Sequence, residues 1–112
     1  MATNEVLENE SNNLIEVAMQ IILHAGDARN LADEAFQIAK TGEFAKAHEK
    51  LKEANSAILE AHKAQTKVIQ DETRGIKHEP SLLFNHAQDT LMTIISEIKI
   101  TKKLVEVLEL TK

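Results

Sequence analysis

A chain of 112 residues with 43% apolar and 28% charged residues is long enough for one soluble domain with a modest core. Its net charge of −5 and its 3% of aromatic residues, with no Trp or Tyr, argue against a nucleic-acid partner held by phosphate contacts or base stacking. The absence of Cys removes disulfide frameworks, thiolate zinc sites and a cysteine nucleophile together.

Residues 1–10 are polar, lack a cap and are expected to form a disordered tail. Glu5, Glu8 and Glu10 make this end acidic where a secretory signal is basic. No apolar run approaches the roughly 20 residues of a membrane span. A cytoplasmic location is therefore expected.

The first predicted helix is capped by Ser11 or Asn12 and carries Leu14, Val17, Ala18, Ile21, Ile22, Ala25, Ala28, Ala32, Ala35, Phe36 and Ala39 at helical spacing. Gly26 lies inside this pattern, where it either kinks the helix or admits another backbone. Gly42 suits the residue just past the helix end, which commonly needs positive φ.

The second helix is predicted from near Glu43, with Phe44, Ala47, Leu51, Ala54, Ile58, Ala61, Gln65, Val68 and Ile69 on one stripe. Lys46, Glu49, Lys50, Lys52, Glu53, Glu60 and Lys63 form its solvated face. Residues 71–80 are predicted as the longest loop, containing Gly75 and the single Pro. Ser81 then opens a third helix that runs to about Leu110. No segment alternates as a strand does. The fold class is all-α: an up-down-up bundle of three helices, each about 28 to 30 residues and roughly 45 Å long.

The third helix has two faces to cover. Phe84, Ala87, Leu91, Ile94, Ile95, Ile98 and Val105 form a stripe for the other two helices. Leu82, His86, Asp89, Thr93, Ser96, Ile100, Leu104 and Val107 form a second, with the spacing of a heptad seam. A lone bundle leaves the second stripe in water, so self-association about a symmetry axis is expected. Asp89 carboxylates gathered at such an axis repel unless they share protons or bind a cation, and their oxygens suit a hard divalent ion such as magnesium.

His86 stands on that second stripe within Asn85-His86-Ala87-Gln88-Asp89-Thr90. A neutral imidazole is a nucleophile that titrates near neutrality and can carry a phosphoryl group on one ring nitrogen. Asn85, Gln88 and the Thr90 hydroxyl are candidate donors to its oxygens. No glycine-rich phosphate loop is present, so a nucleotide is not the expected donor. Among the other histidines, His48 and His78 read as exposed. His24 stands near Gly26 and Arg29 at a possible cleft edge, and His62 beside Gln65 and Thr66 suits a buried polar network or a phosphate site.

Three segments carry a resemblance: Ala25-Gly26-Asp27-Ala28-Arg29; Ala61-His62 with Gln65-Thr66-Lys67; and His86-Ala87-Gln88-Asp89 with Leu91-Met92-Thr93. With them, the chain from about Leu14 to Leu110 resembles the enzyme IIA components of the lactose and cellobiose/chitobiose class of the phosphoenolpyruvate-dependent sugar phosphotransferase system. The resemblance implies a homotrimer with a nine-helix core. It implies that His86 accepts phosphate from the histidine-containing phosphocarrier protein HPr and passes it to a Cys of enzyme IIB. It also implies that Asp89 meets its copies at the trimer axis around a structural Mg2+. The family usually has a second His where this chain has Thr90. The segment from Gln65 to Ile69 is nearer the cellobiose/chitobiose branch than the lactose branch. The readings to separate from this one are a two-component histidine phosphotransfer domain and a non-catalytic trimeric helical adaptor.

Overall fold

The computed structural model describes the backbone of residues 4–76 and 81–112, and the side chains among them from residue 14 onward. The expectations for His78 and Pro80 lie outside the described residues. Three helices make up the fold, α1 (Asn4–Lys40), α2 (Phe44–Thr73) and α3 (Leu82–Leu110), with no strand among the described residues.

Helix α1 begins at Asn4, ahead of the expected Ser11 or Asn12 cap and within the segment read as a disordered tail. The physical reason is local: residues 4–13 contain no Gly or Pro, and Glu and Leu are good helix formers. The helix ends as its glycine suggests. Gly42 takes φ 89, and its N–H donates to the Ala39 carbonyl at 3.0 Å. Helix α2 persists to Thr73, so the following connection is shorter than the 71–80 loop read from the sequence. Ser81 caps α3, its hydroxyl accepting from the Phe84 N–H at 3.2 Å.

Cross-helix pairs fix the topology. Lys50 of α2 reaches back to Glu34 of α1 at 3.4 Å, while Leu14 and Val17 at the other end of α1 border a groove with Ala64 and Val68. Gln65 pairs with Gln88, and His48 with Glu109, so α3 runs against α2 and alongside α1. The bundle is therefore up-down-up, a rod of 65 × 20 × 19 Å.

The core follows the predicted stripes. Ala18, Ile21, Ala25, Ala28 and Ala32 of α1 are buried, as are Ala47, Leu51, Ala54, Ala61 and Val68 of α2 and Phe84, Ala87, Leu91, Ile94, Ile98 and Val105 of α3. Val17, Ile22, Phe36 and Ile95 are half-buried at its margin. Ile69 is a correction, since it is 45% exposed: Val68 beside it takes the core position, and successive helical residues cannot share one narrow face. Gly26 lies within the continuous helix α1 and admits no close backbone from another element, because a Cβ built there meets nothing within 4 Å.

Candidate functional site

Helix α3 sorts its side chains by angle, and His86 falls on the side facing solvent. Its neighbours Phe84 and Ala87 are buried, which fixes the rotation of the helix, so the ring of His86 must emerge. His86 is exposed and makes no hydrogen bond or ion pair among the described residues. It lies little more than one turn past the Ser81 cap, near the helix end that favours an anion.

The residues sharing its face are Leu82 and Asp89 to one side, Thr90 to the other and Thr93 two turns on. Asp89 is exposed, and its carboxylate is without a hydrogen bond or ion pair among the described residues. Thr93 donates its hydroxyl to the Asp89 carbonyl at 2.8 Å. Further along the same stripe Leu82 is 87% exposed, Ile100 55%, Leu104 47% and Val107 54%, so the whole seam lies uncovered in the single chain. Among the described residues, no group of three His, Cys, Asp or Glu side chains could hold a metal within one chain.

Gln88 turns the other way. Two residues along a helix is about 200° around it, which carries Gln88 away from His86 and toward α2. There its Oε1 accepts from Gln65 Nε2 at 3.0 Å. Within one subunit Gln88 therefore lies on the side of α3 away from His86 and ties α3 to α2. Gln65 is buried, at 8% exposure, in the middle of the apolar stripe of α2.

The remaining histidines separate clearly. His62 is exposed in a shallow groove with Leu59, Lys63, Thr66, Lys67 and Gln70, so the buried network read for it is not present. The buried partner in that region is Gln65, one turn on, which points inward while His62 points out. His48, read as exposed, is half-buried; its Nε2 lies 2.7 Å from Glu109 at the far end of the bundle from His86. His24 is half-buried without a hydrogen bond among the described residues. Arg29, five residues further along α1, forms a two-point pair with Glu97, Nε to Oε2 at 2.8 Å and Nη2 to Oε1 at 2.9 Å. The bond to Glu97 raises the Arg29 guanidinium above its ordinary pKa, with burial opposing and the Glu97 and Asp33 charges assisting.

Sequence reading did not find the Gln65–Gln88 and Arg29–Glu97 pairs. A signal existed for the first: a glutamine inside an apolar stripe requires a buried polar partner. No local pattern announces the second, whose members are 68 positions apart.

The family model for the lactose/cellobiose-specific IIA subunit of the PTS system, the sugar phosphotransferase system, matches residues 16–109. The chain belongs to this family. A IIA subunit is a phosphotransferase component that acts as a phosphocarrier. The chain is 39% identical over 94 residues to the lichenan-specific phosphotransferase enzyme IIA component of Bacillus subtilis, covering 84% of this chain and 86% of that one. It is 38% identical over 105 residues to the N,N'-diacetylchitobiose-specific EIIA component of Escherichia coli, covering 94% and 90%. The cellobiose-specific enzyme IIA of Bacillus anthracis superposes with a TM-score of 0.80 at 38% identity, over 97% of this chain and 92% of that one. The chitobiose IIA subunit solved in complex with HPr superposes at 0.77 and 38% identity, over 86% and 93%. No helix among the described residues is long and apolar enough to cross a membrane.

Proposed function

We propose that this IIA subunit takes its phosphoryl group from phospho-HPr on His86 and passes it to a Cys of a cognate enzyme IIB. The observation that carries the reading is the His86 ring itself: exposed, without a hydrogen-bond partner among the described residues, and near the N-terminal end of α3. The relative solved with HPr supports the donor.

In the first step the unprotonated ring nitrogen of His86 attacks phosphorus. The N–P bond of the donor breaks, and its electron pair returns to the donor imidazole. The second ring nitrogen of His86 keeps its proton throughout. In the second step a thiolate on enzyme IIB attacks the same phosphorus, an S–P bond forms, and His86 recovers its lone pair. No nucleotide or redox partner enters either balance.

The sugar served is a β-linked disaccharide of the cellobiose/chitobiose kind. The lichenan- and chitobiose-specific relatives support this, and the match to the latter extends over 94% of the chain.

The working form is a homotrimer with α3 against α3. Support comes from the uncovered seam of Leu82, Ile100, Leu104 and Val107, whose apolar side chains a lone subunit leaves in water. Asp89 lies on that seam as a carboxylate without a partner among the described residues, and a carboxylate is the donor type a hard cation prefers. One chain cannot complete a site, so Asp89 from each copy would hold Mg2+ between subunits, where the ion neutralises converging charge. No transfer step involves it.

The test is incubation with phosphoenolpyruvate, enzyme I and HPr. One acid-labile phosphoryl group per chain, absent in His86→Ala, is expected. An acid-stable phosphate, or label persisting in His86→Ala, overturns the assignment. Label from a response regulator instead of HPr points to a two-component relay, and partner binding without transferable phosphate points to an adaptor.

A further inference from the structure

We propose that the Thr90 hydroxyl donates a hydrogen bond to a phosphoryl oxygen on His86, making Thr90 a catalytic residue of this subunit. The inference rests on His86 being the phosphorylated residue.

Thr90 follows His86 by four residues, so the two stand one turn apart on the same face, with Cβ atoms about 5–6 Å apart. Helical side chains lean toward the N-terminus, which tips Thr90 back over the turn that carries His86. A threonine inside a helix commonly spends its hydroxyl on the carbonyl one turn earlier. Thr93 and Thr101 of α3 do so, to Asp89 and Glu97, each at 2.8 Å. Thr90 does not: its hydroxyl enters no hydrogen bond among the described residues, although the residue is half-buried. A hydroxyl left unspent one turn from His86 is available to an acceptor that arrives later. A phosphoryl group on the adjacent imidazole supplies charged oxygens, the strongest acceptors available to a hydroxyl. The hydroxyl keeps its proton through the transfer and contributes only its dipole to the oxygens.

The experiment compares parent, Thr90→Val, Thr90→Ser and Thr101→Val in single-turnover transfer from phospho-HPr. Valine matches threonine in shape, and serine restores the hydroxyl alone. Thr90→Val is expected to lower the limiting transfer rate about tenfold while the half-saturating concentration of phospho-HPr holds. Thr90→Ser is expected within about twofold of the parent, as is the control Thr101→Val. A parental rate in Thr90→Val overturns the proposal, and so does a Thr90→Ser chain as slow as the valine form. A parent that takes no label on His86 instead defeats the underlying assignment, so the two failures are distinct.

Discussion

Gln65 on α2 and Gln88 on α3 meet through a 3.0 Å hydrogen bond, with Gln65 almost wholly out of water. Buried amides tolerate few geometries, because each misaligned arrangement leaves a polar atom without a partner. Through Gln88 the pair resists rolling of α3 about its axis. That same roll would turn His86, which lies on the opposite side of the helix, toward or away from a docked protein.

Gln65→Leu is expected to destabilise the fold by about 1 to 2 kcal/mol, since Gln88 loses its donor in a partly buried place. Adding Gln88→Leu should recover much of that loss, because two apolar side chains of similar size then face each other. Thermal unfolding at one fixed protein concentration checks both values. Strictly additive losses count against the bond.

Asp89→Asn is expected to alter assembly more than chemistry. It removes the repulsion that converging carboxylates create, so the assembly should persist when divalent ions are stripped. Sedimentation of mutant and parent, with and without a chelator, is the measurement. Identical behaviour in all four samples rules out an axial cation.

Ile100→Glu combined with Leu104→Glu should yield a helical monomer. Both side chains are about half exposed in the single chain, so neither charge disturbs its core, whereas both would be buried in a paired seam. Sedimentation together with circular dichroism tests this; an assembly of parental mass contradicts the seam.

Arg29→Ala is expected to cost no more than about 1 kcal/mol despite the two-point pairing, because both partners are exposed, at 44% and 47% of their side chains. The difference from the parent should shrink at high salt. Chemical denaturation at two ionic strengths reads it directly.

Gly26→Ala is expected to stabilise the subunit by up to about 1 kcal/mol, because the added methyl meets open space in an uninterrupted helix. A loss in thermal stability instead would mark a second chain lying against that face of α1.

Much of this was legible before any coordinates. Periodicity alone separated the two faces of α3, and Ser81 and Gly42 announced their boundaries because capping and positive φ are local demands. His86 was placed on the second stripe of α3 by periodicity, and the structure sets it in solvent because Phe84 and Ala87 beside it are buried. What stayed hidden was tertiary. Gln88 was read as a candidate phosphate contact from its place in the motif, and only the neighbouring helix shows that its carbonyl accepts from Gln65. For His62 the buried-network alternative fails for a simpler reason: Ala61 and Gln65 take the buried positions, and His62, a step round the helix from Ala61, is left exposed.

Among the described residues, more than half of the buried apolar side chains are alanines, six of them on α1: Ala18, Ala25, Ala28, Ala32, Ala35 and Ala39. Methyl groups let the rods lie close together but withdraw little oily surface from water, so a lone protomer rests on thin reserves. Joining its copies would then complete folding as well as build a site. Dilution should lower the melting temperature, and the amount of chain in a cell would set how much of it remains competent to relay phosphate.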